Sequence, residues 1–92
     1  MAFTVIGLEA VPLSVRGTLS RWMLEPVEGT FVGPLPALVR DEVWAMICMA
    51  ATEGRAFMVW PSDNEQGFRM AAHGEARRVI RDFDGISLID FI

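Results

Sequence analysis

Phe3-Thr4-Val5-Ile6-Gly7-Leu8 is a nearly continuous apolar run, and Glu9 follows it directly. A short unbroken run of this kind reads as a central strand covered on both faces. Val11-Pro12 breaks it, and Ser14 is a cap for the segment that follows. Val15, Leu19, Trp22 and Met23 then recur at helical spacing, which predicts a first helix over Leu13 to Leu24. Gly17 weakens that helix by about 1 kcal/mol relative to alanine. Pro26 stops it.

Beyond Pro26 the pattern changes period. Glu25 to Val27 and Thr30 to Val32 flank Glu28-Gly29, a tight hairpin of short strands. Pro26 makes the first of these an edge strand. Gly33-Pro34-Leu35-Pro36 reads as a break, and Pro36 suits the first turn of a second helix. This helix is expected to run to about Thr52, with Gly54 as its stop. Val39, Val43, Met46, Ile47 and Ala50 form its core stripe, while Trp44, Cys48 and Met49 lie off it. A helix apolar nearly all round is covered on more than one side, here by a partner chain.

Arg55 to Pro61 is the next substantial strand, Ser62 to Gly67 a polar loop, and Phe68 to Ala72 the returning strand. Gly74 to Asp82 is polar and loop-like and holds Arg77, Arg78 and Arg81; Asp84-Gly85 is a turn, and Ile86 to Ile92 a last strand. The order implies one α+β domain over residues 1–92, a ferredoxin-like split βαβ. Its antiparallel sheet carries both helices on one face, with extra C-terminal strands. A terminal apolar strand without a partner in its own sheet adds to a neighbour's edge, and a homodimer is the simplest way to use it.

Composition agrees with assembly. At 92 residues the chain has room for one domain, and domains this small are marginal alone. The hydrophobic share is 52% and mean hydropathy is +0.35, a surplus that another subunit would cover. No apolar run approaches the roughly 20 residues of a spanning helix, so no membrane is expected. The start lacks a basic n-region, so no signal peptide is expected either. Cys48 is the only cysteine, which excludes an internal disulfide and fits a reducing cytoplasm.

Net charge is -4 and the pI is near 4.8, unlike a generic nucleic-acid binder. Every one of the eight basic residues is arginine. Arginine's planar fork grips phosphate, but coding bias is the simpler reading of the missing lysines, so the placement of the arginines matters more than their number. Arg16 falls in the first turn of the expected first helix, where a cation opposes the helix dipole. An anion held at that helix start would explain it. Arg77-Arg78, with Arg81 close by, is either a solvated stretch paired with Glu75 and Asp82 or a phosphate contact. Doubled in a dimer, these arginines would track a duplex backbone by position and not by sequence.

Glu9, at the end of the first strand, is the candidate for catalysis and for Mg²⁺, two copies meeting in a dimer. The alternative is a solvated acid capping a loop. His73 is the only histidine and belongs to no recognisable motif, and Cys48 reads as a packing residue. There is no P-loop, no GxGxxG and no metal-ligand spacing. Trp22, Trp44 and Trp60 read as core or interface anchors.

Taken in order, several segments resemble a known family nearly end to end. They are Glu9 with Val11-Pro12, Arg16-Gly17, Trp22-Met23-Leu24-Glu25, Gly29-Thr30-Phe31-Val32-Gly33, Trp44 and Glu53-Gly54. Met58-Val59-Trp60, Asn64-Glu65-Gln66-Gly67-Phe68, Arg77-Arg78 and Asp84-Gly85 complete the set. The chain resembles the small CRISPR-associated adaptation proteins, the "Cas two" family, in their type I-E form. The resemblance implies a ferredoxin-like homodimer that bridges dimers of the integrase subunit, "Cas one". Together they capture double-stranded DNA and insert it into the CRISPR array as a spacer. It further implies that Arg16, Arg77 and Arg78 contact the DNA backbone and that the last strand docks the integrase subunit. No cofactor is then required.

Two positions depart from relatives. Many carry Asp at the end of the first strand and are described as metal-dependent nucleases, where this chain has Glu9. Some carry another basic residue where this chain has Ser14. With Ile92 directly after the last strand, slightly reduced docking is expected. Three readings follow: a non-catalytic scaffold, a Mg²⁺-dependent endonuclease acting on RNA or DNA through Glu9 of both subunits, and a plain dimerisation module.

Overall fold

The computed structural model describes residues 2–51 and 53–74 in full, and the backbone of Arg78–Phe83 and Ile86–Phe91. The chain runs β1 (Ala2–Glu9), α1 (Leu13–Leu19), β2 (Leu24–Val27), β3 (Thr30–Leu35), α2 (Ala37–Ala50), β4 (Arg55–Pro61), β5 (Phe68–His73), β6 (Arg78–Phe83) and β7 (Ile86–Phe91). The main sheet is ordered β2-β3-β1-β4-β5, with every neighbouring pair antiparallel. β1 is central, as its unbroken apolar run predicts. This is the ferredoxin-like α+β arrangement, β5 being an addition at one edge.

Both helices cover the same face. Thr4 and Ile6 of β1 point to it, with Phe31 and Leu35 of β3 and Ala56 and Met58 of β4. Val15 and Leu19 of α1 and Val43 and Ile47 of α2 close over them. Val39, Met46 and Ala50 pack at the margin, so the predicted α2 stripe is the buried one. Burying a side chain such as Ile47 or Phe31 contributes about 1.5–3 kcal/mol each.

Four expectations change. First, among the described residues the helices cover β1 on one face only; Phe3, Val5 and Gly7 lie on the other, and Phe3 stays 57% exposed. Second, α1 stops at Leu19, not Leu24. Ser20 Oγ donates to the Arg16 carbonyl at 2.9 Å, and the next amides form tight i→i−3 bonds, Arg21 to Thr18 and Trp22 to Leu19. This tightening drops Met23 into the core and leaves Trp22 51% exposed. Third, Gly33-Pro34 does not break β3; Pro34 sits opposite Phe3. It lies past the last pairing with β2, where an open edge tolerates a residue without an N–H. Pro36 is the cap before α2, which ends at Ala50 rather than Thr52.

Fourth, the stretch expected to be loop-like contains β6. It pairs with β7 as a separate two-stranded sheet, Arg78 opposite Phe91 and Phe83 opposite Ile86. The last strand therefore has a partner within its own chain. Six residues with Val79, Ile80 and Phe83 among them suffice for a strand once a partner is in register. The expected turn at Asp84-Gly85 lies outside the described residues.

α2 is 14 residues long, and no helix among the described residues is long and apolar enough to cross a membrane. Its outer side is not fully covered by this chain: Leu38 and Met49 stay exposed, Met49 at 82%. Trp44 and Trp60 pack partly buried against the core. Cys48 is half-buried, and burial pushes its thiol pKa up.

Candidate nucleic-acid interface

Glu9 is the last residue of β1 and Arg55 the first of β4, and the antiparallel register sets them directly opposite. Arg55 Nη2 donates to Glu9 Oε1 at 2.5 Å, and that bond raises the Arg55 pKa. Tight backbone packing holds the register here. A Cβ on Gly54 would come within 2.5 Å of the Ala10 carbonyl oxygen, and one on Gly74 within 2.5 Å of the Gly54 oxygen. Ala10 itself takes a left-handed φ of 57° to make the exit turn from β1.

Mg²⁺ takes one or two carboxylates together with water and substrate oxygens. Glu9 brings one exposed carboxylate to this strand end, and one of its two oxygens accepts from an arginine of its own chain. Among the described residues no group of three or more His, Cys, Asp or Glu is placed to hold a metal.

Arg16 lies in the last turn of the short α1, not at the start of a long helix. A cation there no longer opposes the dipole. Its Nη2 donates to Glu25 Oε2 at 2.7 Å, and its Nη1 lies 3.6 Å from Glu28 Oε1. The expectation that local stability leaves Arg16 unexplained is thus corrected: β2 and its turn supply two carboxylates. The same Glu25 oxygen accepts the Gly29 amide at 2.8 Å. Arg16 and that amide hold the Glu25 carboxyl below its ordinary pKa, and Glu25 raises that of Arg16.

Arg77 lies outside the described residues, and Arg78 is placed by its backbone at the start of β6. The placement of the Arg77 and Arg78 side chains relative to Arg16 lies outside what the described residues show.

His73, the last residue of β5, bonds the Ala51 carbonyl through Nε2 at 2.9 Å, holding the C-terminal end of α2 to the sheet. Arg40 of α2 lies 4.8 Å from the Trp60 ring centre, a cation–π contact across the helix–sheet seam.

Sequence reasoning missed the role of Arg55. The signal was present: Glu9 ended one predicted strand and Arg55 began another, and antiparallel neighbours meet end to start. It also missed the pairing of Arg16 with Glu25, which depends on where α1 ends.

The helix-free face is apolar. Besides β1, it presents Val32 of β3, Phe57 and Val59 of β4, and Phe68 and Met70 of β5. The Phe57 ring lies across Gly7, where a Cβ would come within 2.0 Å of it. An irregularity in the β2–β3 pairing places Leu24 opposite Val32 and Val27 opposite Thr30, so both side chains extend the same face, exposed at 76% and 67%. The Glu9–Arg55 pair closes one end of it.

A family model described as CRISPR-associated protein (Cas_Cas2CT1978) matches residues 3–88, nearly the whole chain, and that membership supports a role in CRISPR adaptation. With the split βαβ sheet, its helix-free apolar face and this match taken together, the chain belongs to that Cas2-type family of CRISPR-associated proteins.

Proposed function

We propose that the protein is a non-catalytic, dimeric scaffold of a type I-E CRISPR spacer-acquisition complex, working in the cytoplasm. It holds double-stranded DNA and bridges integrase subunits of the "Cas one" kind. The observation that carries the scaffold reading over the endonuclease reading is the Glu9–Arg55 ion pair. The carboxylate that metal-dependent cleavage would need is engaged by its own chain.

The twin chain is proposed to cover the helix-free sheet face. That face joins exposed Phe3, Leu24, Val27 and Phe57 into one apolar surface of the kind that marks an interface. The hairpin of β6 and β7 is the proposed dock for the integrase subunit, through an edge left open by the pairing of the two strands. Arg77 and Arg78, at the entry to β6, are the proposed DNA contacts, and doubling by symmetry places a local basic track on an acidic body.

The test is co-purification with the integrase subunit followed by an integration assay. The scaffold reading expects a stable complex that inserts duplex DNA only when both proteins are present. Equal integration by the integrase subunit alone overturns it.

A further inference from the structure

Among the arginines whose side chains are described, four are engaged. Arg16 is held by Glu25 and Glu28, Arg40 by Asp41 and Trp60, and Arg55 by Glu9, while Arg69 donates to Ser62. Arg21 makes no side-chain hydrogen bond, ion pair or ring contact among the described residues, and it is exposed. Its neighbour Trp22 is also exposed.

The two sit on a rigid connection. The Arg21 amide donates to the Thr18 carbonyl at 3.2 Å and the Trp22 amide to Leu19 at 3.0 Å. The next residue, Met23, is buried in the core. The fixed backbone sets where this guanidinium is presented, and its planar fork suits a phosphate. The indole beside it offers an apolar face and one N–H donor to the adjoining sugar or phosphate oxygen.

We infer that Arg21, with Trp22 beside it, is a further phosphate-backbone contact for duplex DNA. This rests on the DNA-holding reading above. Arg16 also braces the connection, pairing with Glu25 and Glu28 and so tying α1 to the β2–β3 turn. Arg21 also follows the C-terminal end of α1, where any cation is favourable. That role would act on stability and leave the salt dependence of DNA binding unchanged.

The test is anisotropy of a labelled random-sequence duplex with the protein and its integrase subunit, over a series of salt concentrations. The proteins compared are the unaltered chain, Arg21→Gln, Arg21→Lys, and Arg77→Gln with Arg78→Gln. Each lost phosphate contact lowers the slope of log affinity against log salt by roughly 0.9. Arg21→Gln is expected to lower the slope by about one such step per protomer with at most a small drop in melting temperature, and Arg21→Lys to restore most of it. An unchanged slope in Arg21→Gln, while Arg77→Gln with Arg78→Gln lowers it, overturns this inference and leaves the DNA-holding reading standing. No salt-dependent binding by the unaltered complex overturns both. If Arg21→Gln fails to fold, the residue is structural and the inference falls.

Discussion

Glu9 and Arg55 face each other across β1 and β4, joined at 2.5 Å, at one end of an apolar sheet face. The pair favours one of two chemistries for the same strand end. A free carboxylate suits a metal ligand, whereas a paired one makes a charge-neutral rim. The purified protein is therefore expected to cleave neither RNA nor DNA with Mg²⁺ or Mn²⁺ present, and Glu9→Gln to leave integration unchanged. Metal-dependent cleavage that disappears in Glu9→Gln would restore the nuclease reading.

Arg77→Ala with Arg78→Ala should abolish spacer integration while the protein elutes as the same dimer as the unaltered chain. The sheet face proposed for dimerisation carries none of these residues, so assembly and DNA contact separate. Integration at the unaltered rate sinks the DNA-contact assignment.

The dimer proposal has its own variant. Phe57→Glu places a charge at the centre of the helix-free face, beside Gly7. The ring is already partly exposed in the single chain, so the monomer should keep its fold by circular dichroism. Sedimentation is expected to show a monomer. A persisting dimer places the interface elsewhere.

Two glycines should respond in opposite directions. Gly17 sits inside α1 with open space around it, so Gly17→Ala is expected to stabilise by about 0.5–1 kcal/mol. Gly54 has backbone oxygens of Glu9 and Ala10 within 2.7 Å of where a Cβ would stand. Gly54→Ala is expected to cost about 1–3 kcal/mol through forced backbone shifts. In a domain of this size each kcal/mol moves Tm by roughly 4–8 °C, so thermal melts of the two variants resolve the signs.

Acid should weaken the Arg16–Glu25 tie. The Glu25 pKa is lowered below its ordinary 4.5, first by the Arg16 hydrogen bond and then by the Gly29 amide. A lowered acid pKa contributes stability that is full above the unfolded value and is lost as pH falls through the folded one. The stability gap between the unaltered chain and Glu25→Gln should thus be constant near neutrality and shrink below about pH 4.5. A gap that does not change with pH places the effect of Glu25 in packing, not charge.

The sequence by itself determined the elements, because their patterns are local. The unbroken run of Phe3–Leu8, the stripe through Val43 and Ile47, and the apolar stretch Arg55–Pro61 each report burial through a period of the chain. Their order sufficed for the split βαβ layout. Strand β6 escaped because its polar residues mask a pattern that only a paired β7 makes sense of.

What only the tertiary structure decided depends on register and distance. That Glu9 meets Arg55, 46 positions along the chain, follows from how β1 and β4 align. That Arg16 is paired while Arg21 has no partner among the described residues follows from α1 stopping at Leu19, so that Met23 reaches the core and Glu25 reaches back to Arg16. Charges are counted in a sequence, but whether a charge is available to a partner is set by what the fold has already placed beside it.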